Sequence, residues 1–364
     1  MSHLLNITFL LPGYSPNPIG GYKVAYEYAN HLARLGNDVK IIHAWRFSMD
    51  ESGADKPIDI LRRVRYMPEV VRNTKPGWFN FHSDVRIINK FLTISRDLDG
   101  SDIVVATACQ SAPITNEHSL AGKSSGVYFI QHYEDWSKDA SFVDRTWKLP
   151  LRKVVIAPWL QEKASELGVA AELVPNAIDA DRFAPGPAIP ARPLSVTAIV
   201  SPQEWKRTDL VCEVLALAKA TVPDLEGTTF GVCPRPEGLP AWVQHVQQPA
   251  PADLSAIYQR ARVYLCASDA EGWHLPPAEA MMSGTAVVST NIGGVRAYAD
   301  GSALFSPTGD AEALADNVVR LLTDEAECTR LAEAGYAKLS GYTSHDAASA
   351  FTKVIESAAE NCIG

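Results

Sequence analysis

The chain has 364 residues, 46% of them hydrophobic and 21% charged, with a formal net charge of −9. That length exceeds the usual size of one core, so two domains are expected, and the composition excludes a disordered chain. The acidic balance argues against nucleic acid as a partner, and no apolar run approaches the roughly 20 residues of a membrane span.

The N-terminal "MSHLLNITFLLPGYSP" has no basic n-region and no small-residue cleavage site. It reads as a first strand rather than a signal peptide. Cys109, Cys212, Cys233, Cys266, Cys328 and Cys362 are scattered without a C-x-x-C pair. Reduced core thiols in a cytoplasmic protein fit that pattern better than a disulfide scaffold. The histidines are equally dispersed, and no metal site is expected.

Short β-rich runs then alternate with helical patterns, the signature of a parallel sheet covered by helices. Strands are predicted at 5–12, 38–45, 102–107, 126–131 and 153–158, with helices over 21–36 and 159–168. Residues 1–176 form one doubly wound domain on this reading. The Pro- and Ala-rich "AIDADRFAPGPAIPARP" (177–193) lacks periodicity and reads as a linker. A second βα series has strands at 194–200, 227–233, 263–268 and 285–290, giving a domain over 194–342. The tail from Asp310 to Glu360 is almost wholly helical, and 343–364 is expected to pack back across the first domain. The expected class is α/β, with two Rossmann-like parallel sheets facing a central cleft. Open α/β sheets bind ligands beyond the carboxyl ends of their strands, which points to 12–21, 131–136, 201–207, 233–238, 268–276 and 291–294.

Gly20 and Gly21 open a helix, where bare backbone N–H groups can approach an anion. Neither dinucleotide nor P-loop spacing is present, so they are a turn device as readily as a phosphate loop. Lys206 and Arg207 stand at a helix opening, where cations oppose the dipole; a bound diphosphate would offset that, and two solvated cations are the plain alternative. The stretch "EGWHLPPAEAMMSG" (271–284) is more specific. Glu271 lies in the loop beyond a strand, and Pro276 and Pro277 suit first helical positions. Glu279 falls in the first or second turn, and Gly284 ends the helix. Two carboxylates near one helix N-terminus suit ligand hydroxyls, while free N–H groups suit a phosphate. As mere helix stabilisers they would be worth about 0.3–1 kcal/mol each. "DAD" at Asp179–Asp181 lies in the linker with no neighbouring acid and reads as structural. From Leu61 to Arg96, cations outnumber acids and Tyr66, Trp78, Phe79 and Phe81 are interleaved. Such a stretch can seat on an anionic membrane surface, line an acceptor groove, or be a solvated loop.

"EGWHLPPAEAMMSGTAVVSTNIGG" resembles the E-G-F-G-L-P-x-x-E-A-M-A segment of retaining GT-B glycosyltransferases of the family-4 group (glycosyl transferases group 1). "LVPNAIDADRFAP" is similar to that family's V-P-N-G-V-D segment, and "IGGYKVAYEYANHLARLGNDVKII" to its glycine loop and first helix. "SALFSPTGDAEALADNVVRLLTD" is similar to its closing helix region. These segments cover most of the chain, in the family's order. The resemblance implies a nucleotide-diphosphosugar donor and no other cofactor or metal. It implies that Glu271 contacts the sugar hydroxyls, Glu279 the ribose hydroxyls and Lys206 the diphosphate. Arg207 is the candidate for a supporting charge, and Gly272, Trp273, His274 and Leu275 line the donor. Gly20 and Gly21 match the glycine loop, and His132 matches a histidine near the transferred sugar. Three positions depart from the pattern: Ser201 replaces an arginine, His274 a glycine and Ala177 a glycine. The expected activity is retaining, metal-independent transfer of a hexose-type sugar to a hydroxyl acceptor (a glycan, glycolipid or natural product). The expected setting is the cytoplasm, peripheral at the inner membrane face if residues 61–96 dock there. Ser201 and His274 motivate an alternative, a catalytically weak nucleotide-sugar-binding subunit that supports a partner enzyme. A phosphorylase or an epimerase of the same fold is the third reading.

Overall fold

The computed structural model describes residues 4–49, 68, 72, 74–135 and 139–363, and these divide into two compact units. One is Met1–Asn176 with His345–Gly364; the other is Ala177–Ser344.

In the first unit, strand β1 (Asn6–Pro12) buries its five central residues on both faces, as a strand inside a parallel sheet must. It runs into helix α1 (Gly20–Arg34), whose buried face carries Val24, Tyr26, Tyr28 and Leu32. Then follow β2 (Asp38–Phe47), β3 (Val85–Thr93), β4 (Ile103–Ala106), α2 (Ala112–Leu120), β5 (Ser125–Ile130) and α3 (Ala140–Trp147). β6 (Arg152–Val155), α4 (Pro158–Glu166) and the two-residue β7 (Glu172–Leu173) complete the series. Among the described residues the strands form one parallel sheet in the order β3-β2-β1-β4-β5-β6-β7. β1 registers from Asn6 against Asp38 to Pro12 against Ala44.

Sequence periodicity missed β3. Val85–Thr93 lies within the basic stretch expected as a loop or surface, and its cations are engaged inside the unit. Arg86 pairs with Asp38 at 2.8 Å, and Lys90 pairs with Asp97. The aromatics are also engaged: Trp78, Phe79 and Phe81 pack around Tyr26, and the Trp78 indole N–H donates to the Ser15 carbonyl at 3.0 Å. Arg62, Arg63, Arg65, Tyr66 and Glu69 of that stretch lie outside the described residues.

A buried polar relay locks α1 to this edge of the sheet. The Tyr26 hydroxyl meets His43 Nε2 at 2.6 Å, and His43 Nδ1 meets Asn89 Oδ1 at 2.8 Å. The Asn89 amide donates to the Thr74 carbonyl, so Oδ1 is the acceptor and His43 carries its proton on Nδ1. Burial pushes the His43 ring down to about 4, against the Asn89 hydrogen bond, and keeps it neutral.

The second unit has β8 (Ser195–Ile199), α5 (Thr208–Thr221), β9 (Glu226–Gly231), β10 (Val243–Gln247), α6 (Pro251–Arg260) and β11 (Val263–Cys266). Next come α7 (Leu275–Met282), β12 (Ala286–Thr290), α8 (Gly293–Ala299), β13 (Leu304–Ser306), α9 (Ala311–Thr323) and α10 (Glu325–Ser340). The strands are again parallel, in the order β10-β9-β8-β11-β12-β13. Leu210, Val214, Val263, Val288, Leu314 and Val318 lie in its core. β10 and β13 are short and mixed in polarity, which is why alternation in the sequence did not single them out.

Residues 177–193 are built into this unit. Ile189 lies in the core, and Arg192 donates to the carbonyls of Pro187, Ala261 and Ser283 and to the Thr285 hydroxyl. Burial lowers the Arg192 guanidinium to about 10. The final helix, α11 (Ser344–Ile363), belongs from His345 onward to the first unit. There Phe351 stacks on Tyr28 with ring centroids 4.5 Å apart.

Candidate functional site

In the second unit the sheet grows one way from β8 through β9 and β10, and the other way through β11, β12 and β13. The carboxyl ends of β8 and β11 therefore flank a topological switch point, where neighbouring loops part and leave room for a ligand. Lys206 follows the first strand and Glu271 the second.

After β8 the chain passes Ser201, makes a 3-10 turn over Glu204–Lys206, and enters α5 through Arg207 in left-handed backbone (φ 50). Thr208 closes this turn on itself. Its hydroxyl donates to the Ser201 carbonyl at 2.8 Å and accepts from the Ser201 N–H at 2.9 Å. After β11 the loop is braced from three directions. The Asp269 N–H donates to the Trp205 carbonyl at 2.8 Å, and the Thr290 hydroxyl donates to the Ser268 carbonyl at 2.5 Å. Gly294 of α8 supplies the third brace, because a Cβ there would stand 2.4 Å from the Glu271 carbonyl oxygen.

These braces place the Lys206 ammonium 2.5 Å from Glu271 Oε1, with the two side chains only 14% and 11% exposed. Burial pushes the Glu271 carboxyl up. His274, Lys206 and the Ser268 hydroxyl outweigh burial and leave the carboxyl below its ordinary range. His274 lies 3.7 Å from the same oxygen through Nε2. Burial, aided by Lys206 and opposed by Glu271, drives its ring down to about 3. His274 is therefore neutral, and Lys206 is the cation that holds the carboxylate. Arg207 is directed elsewhere, to Asp209 at 2.9 Å and Asp269 at 3.2 Å.

His274 caps α7 in left-handed backbone (φ 65), and Pro276 and Pro277 occupy the first turn. The helix closes in a Schellman motif: the Gly284 N–H donates to the Met281 carbonyl and the Thr285 N–H to the Ala280 carbonyl. Gly284 has the positive φ of 71 that this ending requires. Glu279 falls in the second turn, buried, and accepts from the Tyr258 hydroxyl at 3.0 Å. Gly272 and Trp273 are buried, and Leu275, the first helical residue, is half-buried. Trp273 packs on Tyr298 at 4.3 Å, whose hydroxyl donates to the His274 carbonyl at 2.9 Å.

Gly20, Gly21 and His132 belong to the first unit, around its own switch point between β1 and β4. The Gln131 amide donates to the Gly21 carbonyl at 2.9 Å, and a Cβ on Gly21 would come within 3.3 Å of that amide. The His132 ring donates from Nδ1 to the Tyr133 carbonyl at 2.7 Å. Glu134 accepts from the Cys109 N–H, which follows β4, at 2.5 Å.

Sequence reasoning missed Tyr258 and Tyr298, which reach Glu279 and His274 from more than 20 residues away, and Cys266, which lies inside a strand; Gln131 and Glu134 were signalled only by their place after a strand. Gly294 was signalled only by its place after a strand. Among the described residues no group of three His, Cys, Asp or Glu is placed to hold a metal ion, and no helix is long and apolar enough to cross a membrane.

Residues 194–324 match the family model "Glycosyl transferases group 1". Over 102 residues the chain is 38% identical to D-inositol 3-phosphate glycosyltransferase of Corynebacterium urealyticum, a match covering 28% of this chain. It spans about a quarter (24%) of that relative's length. Among solved structures, sucrose-phosphate synthase of Thermosynechococcus elongatus superposes with a TM-score of 0.70 at 17% identity, covering 97% of this chain and 98% of that one. Anabaena HepE, solved with UDP-glucose, superposes with a TM-score of 0.73 at 14% identity over 97% and 100%. At such identities the likeness establishes the fold, two Rossmann-like domains of GT-B type.

Proposed function

We propose that the chain is a group 1 glycosyltransferase that moves a sugar from a nucleotide-diphosphosugar to a hydroxyl acceptor with retention of configuration, a reading supported by the family-model match over residues 194–324 and by the GT-B fold. The observation that carries this reading is the Lys206–Glu271 pair at a topological switch point, with buried Glu279 on the helix that follows the Glu271 loop. UDP-glucose in HepE and the glycosyltransferase matched over 102 residues support the choice of donor class.

On this reading Lys206 turns to the donor's diphosphate, Glu271 orients the sugar through its hydroxyls, and Glu279 takes the ribose. Gly20, Gly21 and His132 are the first unit's candidates on this reading. The acceptor oxygen bonds to the anomeric carbon as the bond to the diphosphate breaks. The acceptor's proton passes to the leaving phosphate oxygen, so no side-chain nucleophile or metal ion is required. Catalysis rests on positioning and on charge stabilisation at Lys206.

A thermal-shift panel of UDP, GDP, dTDP and ADP with their sugars tests this, repeated on Glu279→Ala. A donor at about 100 times its dissociation constant stabilises by about 2.7 kcal/mol. One nucleotide series should shift the wild type and leave Glu279→Ala unmoved. No shift from any of them would sink the reading.

A further inference from the structure

Three features of His274 are unusual together. It is a non-glycine residue at φ 65, its side chain is 1% exposed, and its Nε2 has no hydrogen-bond partner. Buried polar atoms are ordinarily satisfied, and left-handed backbone is ordinarily left to glycine. The groups around the ring are Cys266 of β11, Lys206 of the turn after β8, Glu271 of the loop, and Tyr298 of α8, whose hydroxyl holds the His274 carbonyl.

Cys266 Sγ stands 3.3 Å from Nδ1, and burial raises that thiol and keeps its hydrogen. With that hydrogen donated to Nδ1, the neutral imidazole carries its own N–H on Nε2, the tautomer on which the inference below rests. Nε2 lies 3.7 Å from Glu271 Oε1, the oxygen already occupied by the Lys206 ammonium at 2.5 Å.

We propose that His274 is a positioning residue held in reserve for Glu271: when an anionic ligand draws Lys206 away, the Nε2–H of His274 closes on Oε1 and keeps the carboxylate in place. This rests on the donor reading given above for Lys206. A carboxylate this deeply buried cannot lose its cation without a substitute, since an unpaired buried charge is costly. The gap to be closed is under about 1 Å, the difference between 3.7 Å and an ordinary N–H···O distance. Because the ring itself is sealed from solvent, it acts through Glu271 and not by touching the ligand.

Nitrogen NMR of the His274 ring tests the handover without any substrate. In the wild type at neutral pH the ring should be neutral with its proton on Nε2. In Lys206→Met the Nε2–H resonance should move downfield as the bond to Glu271 forms. Should that variant not fold, inorganic pyrophosphate added to the wild type draws on the same ammonium and is read in the same way. A proton on Nδ1, or a ring unmoved by both, overturns the proposal.

UDP-glucose titration supplies the second arm. His274→Leu should weaken UDP-glucose by about ten-fold, the worth of one hydrogen bond to a charged group, with little change for UDP. His274→Gln, which keeps an N–H near Nε2, should restore it; equal losses in both variants would mark the ring as packing alone and overturn the role. Failure of the wild type to bind any nucleotide sugar removes the donor reading, while the Lys206→Met result still decides the ring.

Discussion

Lys206 Nζ lies 2.5 Å from Glu271 Oε1, and this contact joins the turn after β8 to the loop after β11 across the switch point of the second sheet. Both side chains are mostly buried, so breaking the pair costs more than breaking a surface ion pair. Removing one partner leaves the other charge uncompensated. Lys206→Met should therefore destabilise the second unit by about 3 kcal/mol. Lys206→Met combined with Glu271→Gln should recover much of that loss, since no charge is then stranded. Urea unfolding of the single and double variants measures the difference, and equal stabilities would contradict the pairing.

Gly294 has no room for a side chain, because a Cβ would meet the Glu271 carbonyl oxygen at 2.4 Å. Gly294→Ala should push the loop away from α8 at a cost of about 1–3 kcal/mol. It should lower transfer activity at least as far as Glu271→Gln does, since a displaced carboxylate is as little use as a neutral one. Activity assays on the two variants make the comparison, and a fully active Gly294→Ala would remove the brace.

Tyr258 donates to Glu279 from a fully buried hydroxyl at 3.0 Å. Tyr258→Phe keeps the ring and removes a hydrogen bond to a charged group, worth about 1.5–3 kcal/mol. Nucleotide affinity should fall in Tyr258→Phe, with a smaller effect on any step that depends on the sugar. Calorimetric titration with the nucleoside diphosphate alone isolates that effect, and unchanged affinity would count against Glu279 as a ribose ligand.

His43 in the first unit and His274 in the second are both buried and neutral, with rings driven down to about 4 and about 3. An unfolded chain takes up a proton at each as pH falls below about 6.5, and the folded chain does not. Their contribution is thus complete above pH 6.5 and is lost as pH falls toward the folded values. From pH 7.5 to 5.5 each unit should lose about 1.4 kcal/mol through its histidine. In His274→Leu the second unit should lose that slope while the first unit keeps its own. Denaturant midpoints followed at both pH values report it, and an unaltered slope in His274→Leu would assign the proton uptake to another group.

The strands at the centre of each sheet were legible because they are buried on both faces and carry apolar runs, such as Phe9–Leu11 and Val263–Cys266. Strand β3 was not. It lies at the sheet edge, where exposed Arg86 and half-buried Lys90 interrupt the apolar pattern and find partners in Asp38 and Asp97. The linker reading of 177–193 followed composition, and composition does not disclose that Arg192 would be clasped by four oxygens of the second unit.

Within 271–284 the sequence by itself determined the loop, the proline start of α7, a place for Glu279 in the first or second turn and the glycine ending. Each follows from backbone rules that act over four or five residues. Only the tertiary structure decided that Lys206 meets Glu271, that Arg207 goes to Asp209 and Asp269, and that a neutral His274 waits beside the carboxylate. The Lys206–Glu271 and Arg207–Asp269 contacts join residues some 60 positions apart, and the order in which parallel strands pair is what brings them within a bond's length. Local propensity carries no record of that order. The burial it creates then selects which charges survive and which ring stays neutral.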